Sequence, residues 1–294
     1  MNLKRDTYAI VDLDHLKYNV ELAHNEFKRP LMAVIKADAY GHGYKEVASF
    51  LKDIDYVEMF AVATLPEAIE LRELGIDKGI LILGAIPTSK KDIDLAIKYD
   101  ISLTMVSVDY LKLLENLIDE GQTLKVHIKL DTGMHRIGLM SKDELSTLLE
   151  LIDPNKFDVE GIFTHFATAD GDDEAFEKQR NLFYEMIGNC KFKYIHCCNS
   201  AAMTYHHDEK SNMGRLGITM YGCSPNGEEE TKFKQVMSLY TKVAMIKKIP
   251  AGDKVGYGLT YTAKEDEYIA TLPIGYADGL IRKNQGRKVY INGK

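Results

Sequence analysis

The chain has no tryptophan and only seven prolines and four cysteines in 294 residues, and each shortage excludes a class of protein. Few prolines, with 45% hydrophobic and 28% charged residues, exclude a disordered or collagen-like chain and leave an ordinary globular composition. Four cysteines, two of them adjacent at Cys197 and Cys198, are too few and too irregular for a secreted disulfide framework and match no zinc-ligand spacing, so a reducing cytoplasm is expected. No apolar run approaches the ~20 residues of a membrane span, and the N-terminus reaches Asp6 before any apolar core of signal-peptide length. A soluble, unexported protein is expected. Basic residues are also in deficit, 37 against 44 acidic, for a net charge of −7, which gives no general attraction to phosphate backbones or anionic lipid. Nucleic acid and membrane are therefore not expected as partners.

What is present is alternation. Short apolar runs at 31–35, 59–63, 80–83, 103–106, 124–130, 159–163 and 194–197, with a weaker one at 215–218, are separated by longer amphipathic segments. This is the pattern of parallel strands buried on both faces and joined by crossover helices. Thr64-Leu65-Pro66-Glu67 and Ser141-Lys142-Asp143-Glu144 have the spacing of capping boxes, and Gly75 and Pro154 follow the helical patterns those boxes open. Eight strand–helix units predict a (β/α)₈ barrel, with an open doubly wound sheet as the alternative.

The alternation ends at the polar linker Asn226-Gly227-Glu228-Glu229-Glu230. Runs at 237–249, 267–273 and 288–291, separated by Pro250-Ala251-Gly252-Asp253 and Asn284-Gln285-Gly286, predict a second, mainly β domain. The expected boundaries are 1–230 for the barrel and 231–294 for the β domain, with the N-terminal segment to about residue 10 available for pairing with the latter. Asn292-Gly293-Lys294 is a turn signal that anticipates another strand, so the β domain is expected to be incomplete.

Lys36 directly follows the first barrel strand, on the face where such barrels hold active sites. A lysine there can be desolvated and condense with an aldehyde to a Schiff base, as pyridoxal phosphate requires; alternatively it is a strand-end lysine reaching solvent. The next residues, Ala37-Asp38-Ala39-Tyr40-Gly41-His42-Gly43, are denser in functional groups than a plain loop. Other strand ends deliver Asp131-Thr132-Gly133-Met134-His135-Arg136-Ile137-Gly138, Thr164-His165-Phe166-Ala167, Asn199-Ser200 and Gly214-Arg215-Leu216-Gly217-Ile218. Taken together these suit an anion-binding, ring-holding site, with Asn199 and Ser200 capping a short helix. Taken singly, His165 reads as a core histidine and Arg136 and Arg215 as ion-pair arginines. His127, His196, His206 and His207 with Cys197 and Cys198 invite a metal reading. Different strands and adjacent cysteines do not converge readily on one ion, so no metal is expected.

These segments resemble the alanine racemases, pyridoxal-phosphate enzymes built from a (β/α)₈ barrel and a C-terminal β domain. Val34-Ile35-Lys36-Ala37-Asp38-Ala39-Tyr40-Gly41-His42-Gly43 is similar to that family's cofactor-lysine signature. The resemblance implies that Lys36 carries pyridoxal 5'-phosphate and that Tyr40, Asn199, Ser200, Gly217 and Ile218 surround its phosphate. It further implies that His165 stacks on the ring, Arg215 faces the pyridine nitrogen, and Arg136 lies beside the phenolic oxygen and the substrate carboxylate. His135 stands where the family often has glycine, and Lys129 resembles a lysine carbamylated in some members. Tyr257 resembles the second base, which reaches into the barrel of a partner subunit, so a homodimer with shared sites is implied. Tyr276 and Asp170 resemble residues at the mouth of the substrate channel. A free phenol titrates near ~10, so such a base needs a cationic neighbour or a hydrogen-bond network. Family members continue beyond the position of Lys294. The implied activity is racemisation of L- and D-alanine, supplying D-alanine for peptidoglycan. A serine or broad-specificity racemase and an inactive pyridoxal-phosphate-binding protein are the alternatives.

Overall fold

The computed structural model describes residues 5–291 and Gly293, apart from Thr88, His207, Glu229 and Glu230. The N-terminal Met1–Lys4, the linker glutamates, His207, and Asn292 and Lys294 of the terminal turn lie outside the described residues. The chain forms two compact units, Asp12–Val236 and a second made of Met1–Val11 with Met237–Lys294.

In the larger unit eight parallel strands follow one another: β2 (Leu31–Val34), β3 (Val57–Val62), β4 (Gly79–Ile82), β5 (Leu103–Met105), β6 (Leu124–Lys129), β7 (Phe157–Phe163), β8 (Tyr194–His196) and β9 (Gly214–Leu216). Two four-stranded ladders, β4-β3-β2-β9 and β5-β6-β7-β8, are joined into a closed barrel at two seams. At one, Leu81 bridges Ser102, with Ser102 N donating to Ile80 O at 2.9 Å and Ile82 N to Ser102 O at 3.0 Å. At the other, Arg215 N donates to Cys198 O at 2.9 Å. The ring removes every free sheet edge, which settles the barrel against the open sheet.

Helices α1 (Leu13–Phe27), α3 (Tyr44–Leu51), α4 (Leu65–Glu73), α5 (Lys90–Lys98), α6 (Val108–Glu115), α7 (Lys142–Leu151), α8 (Asp173–Ile187) and α9 (Ser200–Tyr205) accompany the strands, and a short turn, α2 (Lys36–Gly41), follows β2. Thr64 and Glu67 complete the expected capping box of α4. At α7 the expected box is only half made. Ser141 Oγ accepts from Glu144 N at 3.1 Å, but the Glu144 carboxylate takes the Met140 amide at 2.6 Å instead of that of Ser141. Among the described residues no helix is long and apolar enough to cross a membrane.

The barrel interior is divided. Met32, Val34, Met59, Ala61, Leu81, Phe163 and Met213 form one buried apolar cluster. Lys129, His127, His196 and Arg215 are as deeply buried, and they come from β6, β8 and β9. Gly161 makes room for this polar side: a Cβ there would lie 2.5 Å from His127 Nδ1 and 2.9 Å from Tyr194 O.

The smaller unit consists of three antiparallel pairs. β1 (Tyr8–Val11) pairs with β10 (Met237–Tyr240), β11 (Met245–Ile249) with β14 (Glu267–Thr271), and β12 (Lys254–Val255) with β13 (Tyr261–Thr262). The single run expected at 237–249 is thus two strands, and the short β12–β13 hairpin went unread because two-residue strands carry too little pattern. The strand expected at 288–291 does not form. Val289, Tyr290 and Ile291 are exposed, and no neighbouring strand among the described residues pairs with them.

Gly161→Ala should destabilise the barrel by about 1–3 kcal/mol, the usual range for overpacking a filled interior. Denaturant unfolding of the variant beside the parent chain measures this; an unchanged midpoint would mean that His127 and Tyr194 move aside freely.

Candidate active site

Lys36 leaves β2 into a turn that runs left-handed for four residues, with φ of +52°, +55°, +52° and +56° at Ala37, Asp38, Ala39 and Tyr40. This handedness costs roughly 1–2 kcal/mol per residue for side chains with a Cβ, so something must hold it. The Glu67 carboxylate does so. One oxygen accepts from Ala37 N at 2.8 Å, while the other takes Ala63 N at 2.7 Å and Thr64 N at 3.1 Å. Asp38 closes the far end by accepting Tyr44 N at 2.9 Å.

The turn sends Tyr40 toward β9. A Cβ on Gly217 would lie 3.5 Å from Tyr40 Oη and 3.6 Å from Ser200 Oγ, so the missing side chain leaves a cradle ringed by two hydroxyls. Ser200 Oγ accepts from Gly217 N at 2.9 Å, and Asn199 caps α9 through Ala202 N at 2.9 Å. Lys36, Tyr40, His165, Asp170, Asn199, Ser200, Arg215, Gly217 and Ile218 all line one cavity of about 330 Å³ at the C-terminal end of the barrel strands. Nine side chains or backbones named from the sequence thus converge.

Arg215 is the centre of the buried side. Its guanidinium donates to Thr164 O at 2.7 Å, to Cys197 O at 3.2 Å and to His196 O. Two imidazole nitrogens also face it, His196 Nδ1 at 3.1 Å and His165 Nδ1 at 3.4 Å. No carboxylate pairs with it among the described residues, which corrects the ion-pair reading. Burial pushes its pKa down to about 10, lower than an ordinary arginine but still cationic at neutral pH. Because a guanidinium can only donate, His196 Nδ1 must accept, and its Nε2–H then donates to His127 Nδ1 at 2.8 Å. The proton of His127 is thereby placed on Nε2, 3.7 Å from the Glu160 carboxylate.

The same cation, with burial as the larger cause, governs its neighbours. Desolvation drives His165 down to about 3, aided by Arg215, Arg136, Lys129 and Lys36. Lys129, 2% exposed, falls to about 7, chiefly by burial against the opposing pull of Asp131. His127 and His196 are likewise lowered by burial. Burial raises Glu160, but the Ser102 hydroxyl that donates to it at 2.7 Å and the neighbouring His127 and Lys125 outweigh this and hold it at about 2.

Arg136 is exposed on the loop after β6, and its charge reaches His165, Lys129 and Arg215. Asp131 shapes that loop by accepting Gly133 N at 3.0 Å and His135 N at 2.9 Å. His135 has φ of +52°, which explains why glycine would be at home there. Tyr257 and Tyr276 belong to the smaller unit. Arg282 lies over the Tyr257 ring at 5.4 Å and donates to Tyr276 Oη at 3.1 Å, and Tyr257 is 76% exposed.

Residues 11–225 match the alanine racemase N-terminal domain and residues 236–294 the alanine racemase C-terminal domain. The chain belongs to the alanine racemase family. It is 40% identical to the alanine racemase of Streptococcus equi over 301 aligned positions, covering 100% of this chain and 81% of that protein. The crystal structure of alanine racemase from E. faecalis superposes with a TM-score of 0.92 at 36% identity, covering 100% of this chain and 81% of the other. A histidine racemase from Leuconostoc mesenteroides gives a TM-score of 0.82 at 30% identity over 94% of this chain and 76% of its own. The alanine racemase family comprises pyridoxal-phosphate-dependent isomerases with a barrel fold.

Two contributors escaped the reading of the sequence. Glu67 was legible as a helix cap, but not its second oxygen on the Ala37 amide; the Glu160–His127–His196 chain was spread over strands whose adjacency no local pattern reveals.

The buried imidazoles set an acid limit on this racemase-family barrel. On unfolding they would protonate near 6.5, whereas folded His165 stays neutral down to about 3. The unfolded chain therefore binds more protons in that window and stability falls as pH drops through it, with Glu160 adding to the loss below 4.5. Denaturant midpoints measured from pH 7.5 to 5 should decline steadily; a flat profile would show that these groups titrate normally.

Proposed function

We propose that this chain interconverts L- and D-alanine with pyridoxal phosphate held in the barrel cavity, and thereby supplies D-alanine for cell-wall peptidoglycan. One observation carries the reading: Lys36 opens into the same cavity as the Tyr40–Ser200–Gly217 cradle, His165 and Arg215. The cradle fits a phosphate, since a gap that a Cβ would fill is bordered by two hydroxyl donors and by backbone at 217–218. The charges also fit, with a neutral imidazole available to lie on the ring and a permanent cation to face its nitrogen. When bound, the cofactor supplies an aldehyde that takes up an amino group and a conjugated ring that eases proton loss from Cα.

Racemisation removes a proton from one face of Cα and returns one to the other, so two acid–base groups are required. Lys36 holds the cofactor and serves one face. Tyr257 serves the other, contributed by a second copy of the chain, with Arg282 as the cation beside it. Arg215 would face the pyridine nitrogen and, with a pKa of about 10, keeps its own proton at neutral pH. By withholding that proton it would leave the ring a weaker electron sink and so favour return of the proton to Cα over transamination. Arg136 takes the substrate carboxylate, and Tyr276 and Asp170 guard the channel mouth. Lys129, lowered to about 7, holds a large share of free amine at neutral pH, the form that adds CO₂ with loss of one proton; the resulting carbamate would orient Arg136.

The smaller unit supports a homodimer. Among its described residues only Ile249 and Ala263 are buried apolar side chains, while Met245, Ile246, Leu259 and Tyr268 are exposed. Apolar surface of that kind is characteristic of an interaction face.

Proton NMR of L-alanine in D₂O with the chain and pyridoxal phosphate should show loss of the Cα proton and the appearance of D-alanine, with L-serine and L-histidine as comparison substrates. Turnover limited to histidine or serine would replace alanine as the substrate. Tyr257→Phe should cut exchange on one face by on the order of 10²-fold or more while cofactor binding persists; rates unchanged from the parent chain with both enantiomers would remove this tyrosine from the mechanism. Gly217→Ala should weaken pyridoxal phosphate by about tenfold, roughly 1.4 kcal/mol, read from absorbance titration. Unaltered affinity would place the phosphate elsewhere.

A further inference from the structure

Behind the cofactor cavity, three groups that the racemase reading leaves unused come together. Cys197 and Cys198 follow β8, where the alternation of a strand no longer applies, and their sulfur atoms lie 3.9 Å apart. Asp208 Oδ2 is 3.3 Å from Cys197 Sγ, and all three ligand atoms lie within 4.8 Å of one another and are buried. The two adjacent sulfur atoms come together because both residues lie past the last residue of β8.

Two of the three separations are close to what a tetrahedral ion imposes, and the third, between Cys198 Sγ and the Asp208 carboxylate, lies within 4.8 Å. With Zn–S near 2.3 Å and Zn–O near 2.0–2.2 Å, tetrahedral angles set sulfur–sulfur at about 3.8 Å and sulfur–oxygen at about 3.5 Å. The carboxylate is also aimed. Asp208 Oδ1 is occupied by three donors, Tyr184 Oη at 2.7 Å and Lys210 N and Ser211 N at 2.9 Å each, which turns Oδ2 toward the sulfur atoms. Such outer partners fix ligands in metal sites. Access is provided by a groove of about 500 Å³, whose lining includes Tyr184 and Asp208.

We propose that Cys197, Cys198 and Asp208 form a binding site for a thiophilic divalent cation of the zinc type, bound by two thiolates and one carboxylate oxygen with a water in the fourth position. Binding forms two metal–sulfur bonds and releases both thiol protons to solvent. Three ligand charges of −1 against +2 leave one negative charge, which Arg215 offsets nearby: its guanidinium donates to Cys197 O and its amide to Cys198 O. Soft thiolates and a hard carboxylate together select zinc or cadmium over magnesium or calcium. The site does not depend on the assignment of the reaction.

Cadmium is the probe, since thiolate-to-cadmium charge transfer reports sulfur ligation directly. In the full chain bearing Cys190→Ser and Cys223→Ser, which removes the two exposed thiols, the ultraviolet band should saturate at one Cd²⁺ per chain. Its intensity should correspond to two thiolates, with about two protons released, and Zn²⁺ should abolish it by competition. Asp208→Asn should weaken binding at least tenfold, and bound Zn²⁺ should shield Cys197 and Cys198 from alkylation. The absence of a band under excess Cd²⁺, or one that survives Cys197→Ser with Cys198→Ser, would overturn the proposal. The reading on the intact cluster stands whether or not the ligand variants fold.

Discussion

A guanidinium buried in the barrel among carbonyl oxygens, rather than beside a carboxylate, is the interaction on which the remaining chemistry rests. Removing a charge from water is costly unless hydrogen bonds compensate, and Arg215 is compensated by Thr164 O, His196 O and Cys197 O. No carboxylate among the described residues pairs with it, so its field persists and adds to the burial that keeps His165 and His196 neutral. It also fixes the tautomers of His196 and His127 in series, because a donor-only group leaves its neighbour no choice but to accept. The same residue closes the barrel, since its amide makes the bond between β9 and the end of β8. Architecture and electrostatics therefore meet at one residue, the first through its backbone and the second through its side chain.

A second constraint is local strain. The left-handed turn after Lys36 is unfavourable taken alone, and the Glu67 carboxylate and Asp38 hold it with amide hydrogen bonds at both ends. The return on that strain is positional: Tyr40 is delivered beside Gly217, where the backbone of β9's end is bare. A right-handed turn would carry the phenol away from the cradle. Glu67 performs this while capping its own helix, so one carboxylate couples the start of α4 to the shape of the cofactor end.

Much of this was legible in the residue pattern. Strands such as β2, β4 and most of β3 follow from continuous apolar runs, since strands buried on both faces need no alternation to be recognised, while β6, interrupted by Lys125, His127 and Lys129, and the short β9 carry a weaker signal; the cap at Thr64–Glu67 follows from spacing alone. Lys36, His165, Ser200, Arg215 and Gly217 were identifiable because each stands at or just past a strand end. The pairs β1–β10 and β12–β13 were less visible: short edge strands bury little and so carry little pattern, and the exposed run at 288–291 carries a strand-like composition without a partner. The proximity of Cys197, Cys198 and Asp208 was not legible, since it depends on the path of the chain after β8 rather than on a local pattern.

Without deciding between a closed barrel and an open sheet, the sequence by itself determined the repeating strand–helix units and, through the resemblance its motifs carry, the family and the residues expected at the site. Only the tertiary structure decided their ionisation. A lysine lowered to about 7, a histidine to about 3 and an arginine to about 10 are consequences of burial and of charges brought together from separate strands, and desolvation is a property of the closed barrel rather than of any segment within it.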